Sequence, residues 1–285
     1  GVRQARAVLR ELKPKVVVGF GGYPTIPTLI AARTLGLRTV IHEANAVMGR
    51  ANRLLAPQVT AIACAFPTLI KAPPAIRRRA IVVGNPVRPS IRALAGQGYE
   101  PPSAEGPIRL FVTGGSQGAR LLSLAVPAAV ASLPAATRAR LSVVQQTRPE
   151  VLEAAAAVYR EAEVEAELAP FFSDMARRWT WAHLVISRAG ASSVGEIAIA
   201  GRPSILAPLG IALDDDQGQN ARLLSDTGAA LVIRESELSG PALAALLAEL
   251  VDDSPRLARM AAAAAAAATP DAAERLADLV ERISA

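Results

Sequence analysis

Between Trp181 and Asn220 the chain sets hydroxyls, a carboxylate and amides at spacings that suit a phosphorylated ligand. In SRAGASSVGEIAIAG, residues Ser187–Gly201, a strand-like run ends in a small-residue turn that opens a helix. Ser192 and Ser193 then fall where free backbone N–H groups meet an anion, and Glu196 could accept from two ribose hydroxyls. A structural reading stands level with this one. Ser193 with Glu196 three residues on satisfies a capping box, and Gly201 with Pro203 ends the helix. DDDQGQN, residues Asp214–Asn220, follows the apolar run SILAPL. Its Gln217 and Gln219 could bond sugar hydroxyls, and Asp214 and Asp216 could hold a divalent metal on a diphosphate. Alternatively, the loop is solvated and caps the next helix through Asp216.

Two glycine turns offer further backbone donors. TGGSQGAR, residues Thr113–Arg120, follows the strand-like IRLFV. Gly114 and Gly115 free the backbone, Ser116 supplies a hydroxyl, and a helix start supplies partial positive charge for a phosphate. No GK[ST] follows, so a P-loop with its lysine and Mg²⁺ is unsupported. GFGGYP, residues Gly19–Pro24, is a tight turn or a binding loop but not a dinucleotide fingerprint. His42 and Glu43 end a strand, where such a pair can do acid–base work or serve structure alone. His183, which opens HLVIS, reads as structural.

These residues need elements to hold them. Apolar runs of strand length alternate with helical patterns along the whole chain, which implies an α/β fold of parallel sheets. Strands are expected at Lys15–Gly19, Thr39–His42, Val59–Cys64 and Ala80–Val83, then at Ile108–Val112, Ser142–Gln146, Glu165–Leu168, Leu184–Ser187, Ser204–Pro208 and Ala230–Ile233. Helices are expected at Thr25–Leu35, Ala119–Ser132 and around Glu150–Glu161. A helical tail runs from Ser239, broken at Thr269–Pro270. GNPVRPSIRALAGQGYEPPSAEGP is rich in Gly and Pro and without periodicity, and reads as a linker. The expected domains are 1–88, completed by a C-terminal helix 270–285, then a linker 89–106, then 107–269.

The chain has 285 residues, enough for two domains, and 31 Lys and Arg against 25 Asp and Glu give a net charge of +6. That balance favours acidic partners. The one cysteine, Cys64, rules out an internal disulfide or a multi-cysteine metal site, and reads as a buried small hydrophobe. No apolar run approaches the ~20 residues of a membrane span. The opening GVRQARAVLRELKPK lacks an initiator Met and starts as though inside a helix. Arg3, Arg6, Arg10 and Lys13 lie beside an apolar row of Val2, Ala5, Leu9 and Leu12. Such a helix lies on anionic lipid or packs one face as an ordinary surface helix.

Taken in order, GFGGYPTIP, IHEANAVMGRANRLLA, VVGNPVR, TGGSQGAR, SRAGASSVGEIAIAGRPSILAPL and DDDQGQNA resemble the MurG family of bacterial cell-wall glycosyltransferases. The resemblance runs from Val16 to about Gly228. It implies a GT-B fold, two Rossmann-like doubly wound domains facing across a cleft, the N-terminal one truncated here. The implied activity moves N-acetylglucosamine (GlcNAc) from UDP-GlcNAc to the C4 hydroxyl of undecaprenyl-diphospho-MurNAc-pentapeptide (lipid I), with inversion and without a metal or other cofactor. Its expected setting is peripheral, on the cytoplasmic face of the plasma membrane against anionic lipid, with no nucleic-acid partner. By the same resemblance Glu196 holds the ribose, Ser192 and Ser193 face the diphosphate, and Ser116 and Arg88 contact phosphate. Gln217 and Asn45 reach the GlcNAc, Tyr23 and Glu43 lie on the acceptor side, and Glu43 is the motif-borne candidate base.

The sequence departs from the family in places. Ala44 stands where Gln is usual, Asp216 stands where Gln or His is common, and the GGTGGH-type loop that carries the favoured base is absent. The expectation is therefore a chain that binds donor but turns over poorly. The alternatives are a donor-binding fragment without chemistry, or another GT-B enzyme such as a UDP-GlcNAc 2-epimerase.

Overall fold

A computed structural model describes residues 1–115, 120–210 and 215–285. The chain forms two compact units, one of Gly1–Val87 with Thr269–Ala285, the other of Arg88–Ala268.

The first unit is built on four parallel strands, β1 (Val16–Gly19), β2 (Arg38–Glu43), β3 (Ala61–Cys64) and β4 (Ala80–Val82), in that spatial order. Neighbouring residues of β2 serve opposite faces, as the pleat requires. Ile41 joins Leu29, Met48 and Ile62 on one side, while Val40 joins Ala63, Leu276 and Leu279 on the other. The second face is therefore closed by the C-terminal helix Ala272–Ser284. Gly84 lets that helix approach. Its φ is +88°, and a Cβ there would lie 2.7 Å from Thr269 Cβ and 2.9 Å from Ala272 Cβ. Cys64 is buried on the other face with Ile41 and Ile62, and burial pushes its thiol up to about 11, so it behaves as the inert small hydrophobe expected.

Helix Val2–Leu12 packs Leu9, with Val2 and Ala5 beside it, against Ala31 and Ala32 of helix Thr25–Thr34. One face is thus packed, as an ordinary surface helix requires. Val8 and Leu12 nevertheless remain exposed among Arg3, Arg6 and Arg10.

The second unit carries six parallel strands. They are β5 (Ile108–Thr113), β6 (Leu141–Gln146), β7 (Glu165–Ala169), β8 (Leu184–Ser187), β9 (Ser204–Leu206) and β10 (Ala230–Val232), ordered β10-β9-β8-β5-β6-β7. The order reverses at β5, which pairs with β6 on one side and β8 on the other. Loops leaving β5 and β8 therefore part in opposite directions and open a crevice at their carboxyl ends.

Helix Arg120–Ala131 contains Pro127, which removes one rung of its ladder and leaves the Ser123 carbonyl without its usual donor. Gln145 of β6 supplies one, Nε2 to Ser123 O at 3.2 Å. Such a repair is needed because Ser123 is fully buried. His183 is structural, as its position suggested. Its ring nitrogens lie 3.2 Å from Arg109 N and 3.1 Å from Arg109 Nε, one of them accepting in the neutral ring, and burial with the Arg109 charge lowers its pKa to about 4.

Two expectations need correction. The stretch 89–106 is no free linker, because Ile91 is fully buried and Tyr99 packs against the core of the second unit. Tyr99 also donates its hydroxyl to His183 O at 2.9 Å, and Arg202 reaches Gly98 O at 3.2 Å. Gly and Pro hid these anchors by breaking any periodicity around them. The sequence reading also passed over helix Met175–Trp181, whose seven residues are too few to show an apolar stripe.

Candidate functional site

Helix Ala191–Ala200 starts at Gly190, directly after β8, and its ladder begins with Val194 N–H on Gly190 O. The first-turn N–H groups, those of Ser192 and Ser193 among them, have no helical partner and point out of the helix start. This start lies earlier than a capping box on Ser193 requires, and no side-chain cap bond is made at Gly190. That structural reading of Glu196 is overturned. Gly201 ends the helix in the left-handed region, as its type suggested.

Glu196 turns sideways instead. Its Oε2 accepts from Trp179 Nε1 at 2.9 Å, and its Oε1 accepts from Arg88 Nη2 at 3.2 Å. The carboxylate is 13% exposed and the guanidinium 56%. Both line a cavity of about 230 Å³ at the β5–β8 switch point, together with Ser192, Ser193, Gly115 and Thr113. Phe171, Phe172, Met175 and Trp179 give it an apolar wall. Its floor is tied by Gln146, whose Oε1 accepts from Thr113 Oγ1 (3.0 Å) and Gly114 N (3.1 Å) while Nε2 donates to Pro170 O (3.1 Å). Backbone donors, a cation, a carboxylate and an aromatic wall in one recess match phosphate, ribose and base in turn.

Sequence reasoning missed the wall. The run PFFSDMARRW carried the signal, apolar residues with a long loop just before a strand, but nothing in it marks a ligand.

The remaining expected residues lie elsewhere. Gln217 belongs to helix Asp216–Ser225 and its Oε1 accepts from Leu209 N–H at 3.0 Å, so among the described residues it steadies a loop and does not line this cavity. Gln219 donates to Asp215 Oδ2 at 3.0 Å. The N-cap is Asp215 and not Asp216 as one reading had it, with no side-chain cap bond. Ser116 and Asp214 fall outside the described residues. Among those described, no three His, Cys, Asp or Glu side chains gather as a metal site would need.

In the first unit, Glu43 ends β2 with its carboxylate turned inward, 3% exposed. Oε1 accepts from Asn45 N (3.1 Å), and Oε2 from Gly49 N (2.9 Å) and Asn52 Nδ2 (2.8 Å). It clamps the loop that carries Asn45. His42 is neutral. Burial lowers its pKa, and since Gly84 O can only accept, the ring proton sits on Nε2, 2.9 Å away. Its buried Nδ1 has no partner among the described residues. Tyr23 stands on the turn after β1 and is largely exposed, behind Gly21 and Gly22 at φ +81° and +74°.

Two parallel-sheet α/β domains, the second with this cavity at its switch point, define a nucleotide-sugar glycosyltransferase of GT-B type. Residues 109–276 match the glycosyltransferase family 28 C-terminal domain, and residues 1–64 match the family 28 N-terminal domain. The chain belongs to glycosyltransferase family 28. It is 62% identical to the UDP-N-acetylglucosamine--N-acetylmuramyl-(pentapeptide) pyrophosphoryl-undecaprenol N-acetylglucosamine transferase of Phenylobacterium zucineum, over 99% of this chain and 77% of that one. Among solved structures it is similar to Acinetobacter baumannii MurG, with a TM-score of 0.81 and 33% identity over 99% of this chain and 78% of that one. The UDP-GlcNAc 2-epimerase of Neisseria meningitidis, at TM-score 0.68 and 13% identity over 99% and 80%, shares the fold alone.

Proposed function

We propose that the chain transfers GlcNAc from UDP-GlcNAc to the C4 hydroxyl of undecaprenyl-diphospho-MurNAc-pentapeptide, with inversion at the anomeric carbon, in peptidoglycan synthesis. The observation that carries this reading is Glu196, a carboxylate facing a cavity at the switch point beside the helix start at Ser192 and Ser193. The names of relatives at 50–62% identity support the same donor and acceptor.

In this mechanism Glu196 accepts from the ribose hydroxyls, and Phe171 and Phe172 of the wall shelter the base. As the sugar leaves, charge grows on the diphosphate, and the Ser192 and Ser193 N–H groups with Arg88 meet it in place. Ser116, Asn45 and the amide nitrogen of Gln217, whose oxygen stays on Leu209 N–H, complete the donor contacts, Asn45 on a loop whose shape Glu43 sets. Tyr23 and Glu43 serve the acceptor side.

The acceptor is lipid-borne, and helix Val2–Leu12 offers exposed Val8 and Leu12 among arginines. That combination suits an anionic bilayer surface, here the cytoplasmic face of the plasma membrane. Among the described residues no helix is long and apolar enough to cross a membrane.

Calorimetry with UDP-GlcNAc, run beside a transfer assay on a lipid I analogue, tests the reading. Binding with acceptor-dependent release of UDP is expected. Epimerisation of UDP-GlcNAc without any acceptor, or no heat of binding at all, would overturn it.

A further inference from the structure

We infer that Trp179 is a positioning residue for the nucleotide: its indole N–H fixes one oxygen of Glu196 so that the other is presented to the ligand. The inference rests on the reading that Glu196 holds the ribose.

Trp179 is 1% exposed, so its N–H has to find an acceptor inside the protein, and that acceptor is Glu196 Oε2. The ring is held from several sides. It meets Phe111 of β5 edge to face, with centroids 5.2 Å apart and planes at 84°. Its own carbonyl accepts from Arg202 Nε at 2.7 Å, and the Thr180 carbonyl accepts from Arg202 Nη2 at 3.2 Å. Arg202 is itself buried and fixed on Gly98 O, so helix Met175–Trp181 is stapled to the stretch that follows Arg88. An indole held this firmly leaves Glu196 little rotamer freedom.

With Oε2 taken by the indole, Oε1 points to the cavity. Arg88 Nη2, a donor on a half-exposed side chain, already stands there at 3.2 Å. A pair of vicinal ribose hydroxyls donates to the same oxygen in the same direction. A carboxylate free to rotate would lose conformational freedom on binding, whereas a fixed one does not. Trp179 therefore acts on the ribose and not on the base or the phosphates, and that separates it from a residue that merely fills the core.

The test measures dissociation constants of the intact chain for UDP and for 2′,3′-dideoxy-UDP. Glu196→Ala comes first, and weaker UDP binding is expected. If UDP affinity stays unchanged, the ribose reading fails and the role of Trp179 goes with it. Given that loss, Trp179→Phe, which keeps the packing ring and deletes the donor, should weaken UDP binding about tenfold. It should leave dideoxy-UDP affinity within about twofold, and have no further effect when added to Glu196→Ala. Equal weakening for both nucleotides, additive losses in the double variant, or an unchanged UDP affinity in Trp179→Phe alone would each reduce Trp179 to packing.

Should Trp179→Phe fold poorly, Trp181→Phe leaves Trp179 as the sole tryptophan of the two in the chain. UDP should then change its emission and dideoxy-UDP should not. An emission that responds to both alike overturns the proposal.

Discussion

Glu43 and Glu196 are both carboxylates set near the carboxyl ends of parallel strands, yet they do opposite work. Glu43 receives its three donors from the loop that follows it within ten residues, two of them backbone N–H groups. Glu196 receives its donors from other elements, Trp179 on the helix before β8 and Arg88 far away in sequence, and keeps an edge on a cavity. A carboxylate satisfied by its own loop is a fastener. One steered by remote side chains and left partly open is ready for a ligand. Sequence position alone does not separate the two, whereas the origin of their donors does.

The largest expected effect breaks the fastener. Glu43→Ala takes this acceptor from the Asn45 and Gly49 N–H groups and leaves the Asn52 amide with His42 O alone, and should cost about 3 kcal/mol of stability in urea unfolding. A stable variant that loses only transfer would instead make Glu43 a base. Next, Glu196→Ala should weaken UDP binding by about 1–3 kcal/mol in calorimetry. Unchanged affinity with only a lowered Tm would reduce Glu196 to a structural residue.

The two histidines extend the comparison, one in each unit. His183 has a folded pKa lowered to about 4 from an ordinary value of 6.5, so the unfolded chain binds the proton more readily. Its stabilising share is complete above pH 6.5 and drains away as the pH falls towards 4. His42, also lowered, adds the same sign. Replacing His183 with Asn should flatten the acid limb of the stability curve by about 1–2 kcal/mol, and an equally steep limb would refute the assignment. The smallest effect lies at the surface. Leu12→Ser should lower binding to anionic vesicles a few-fold with Tm unchanged, read by sedimentation with the lipid.

Much of this architecture was legible because buried parallel strands announce themselves. VVVG, TVIHE and IRLFV are short apolar runs closed by Gly or by a polar turn, and each became a strand within a residue or two. Ser192, Ser193, Glu196 and Arg88, which the sequence offered for a nucleotide, meet at one cavity. Other features depended on tertiary packing that no local pattern encodes. Ile91 and Tyr99 gain their burial from the second unit, so a Gly- and Pro-rich stretch read as linker. Gln217 sits in a suitable motif, but its amide is claimed by Leu209 N–H. Trp179 had no motif at all, because its meaning lies in an indole reaching a carboxylate one strand and one turn later.

The C-terminal helix that closes the first sheet has a consequence in time. The second unit is one continuous stretch, Arg88–Ala268, and can fold as it leaves the ribosome. Residues 1–87 of the first unit are made before the second unit but lack one face of their core until Leu276 and Leu279, which follow that unit in the chain, are made. Protease added to chains stalled between the two units' closing segments should find residues 88–268 protected while 1–87 are still cut, so that the stretch made before the second unit is completed after it.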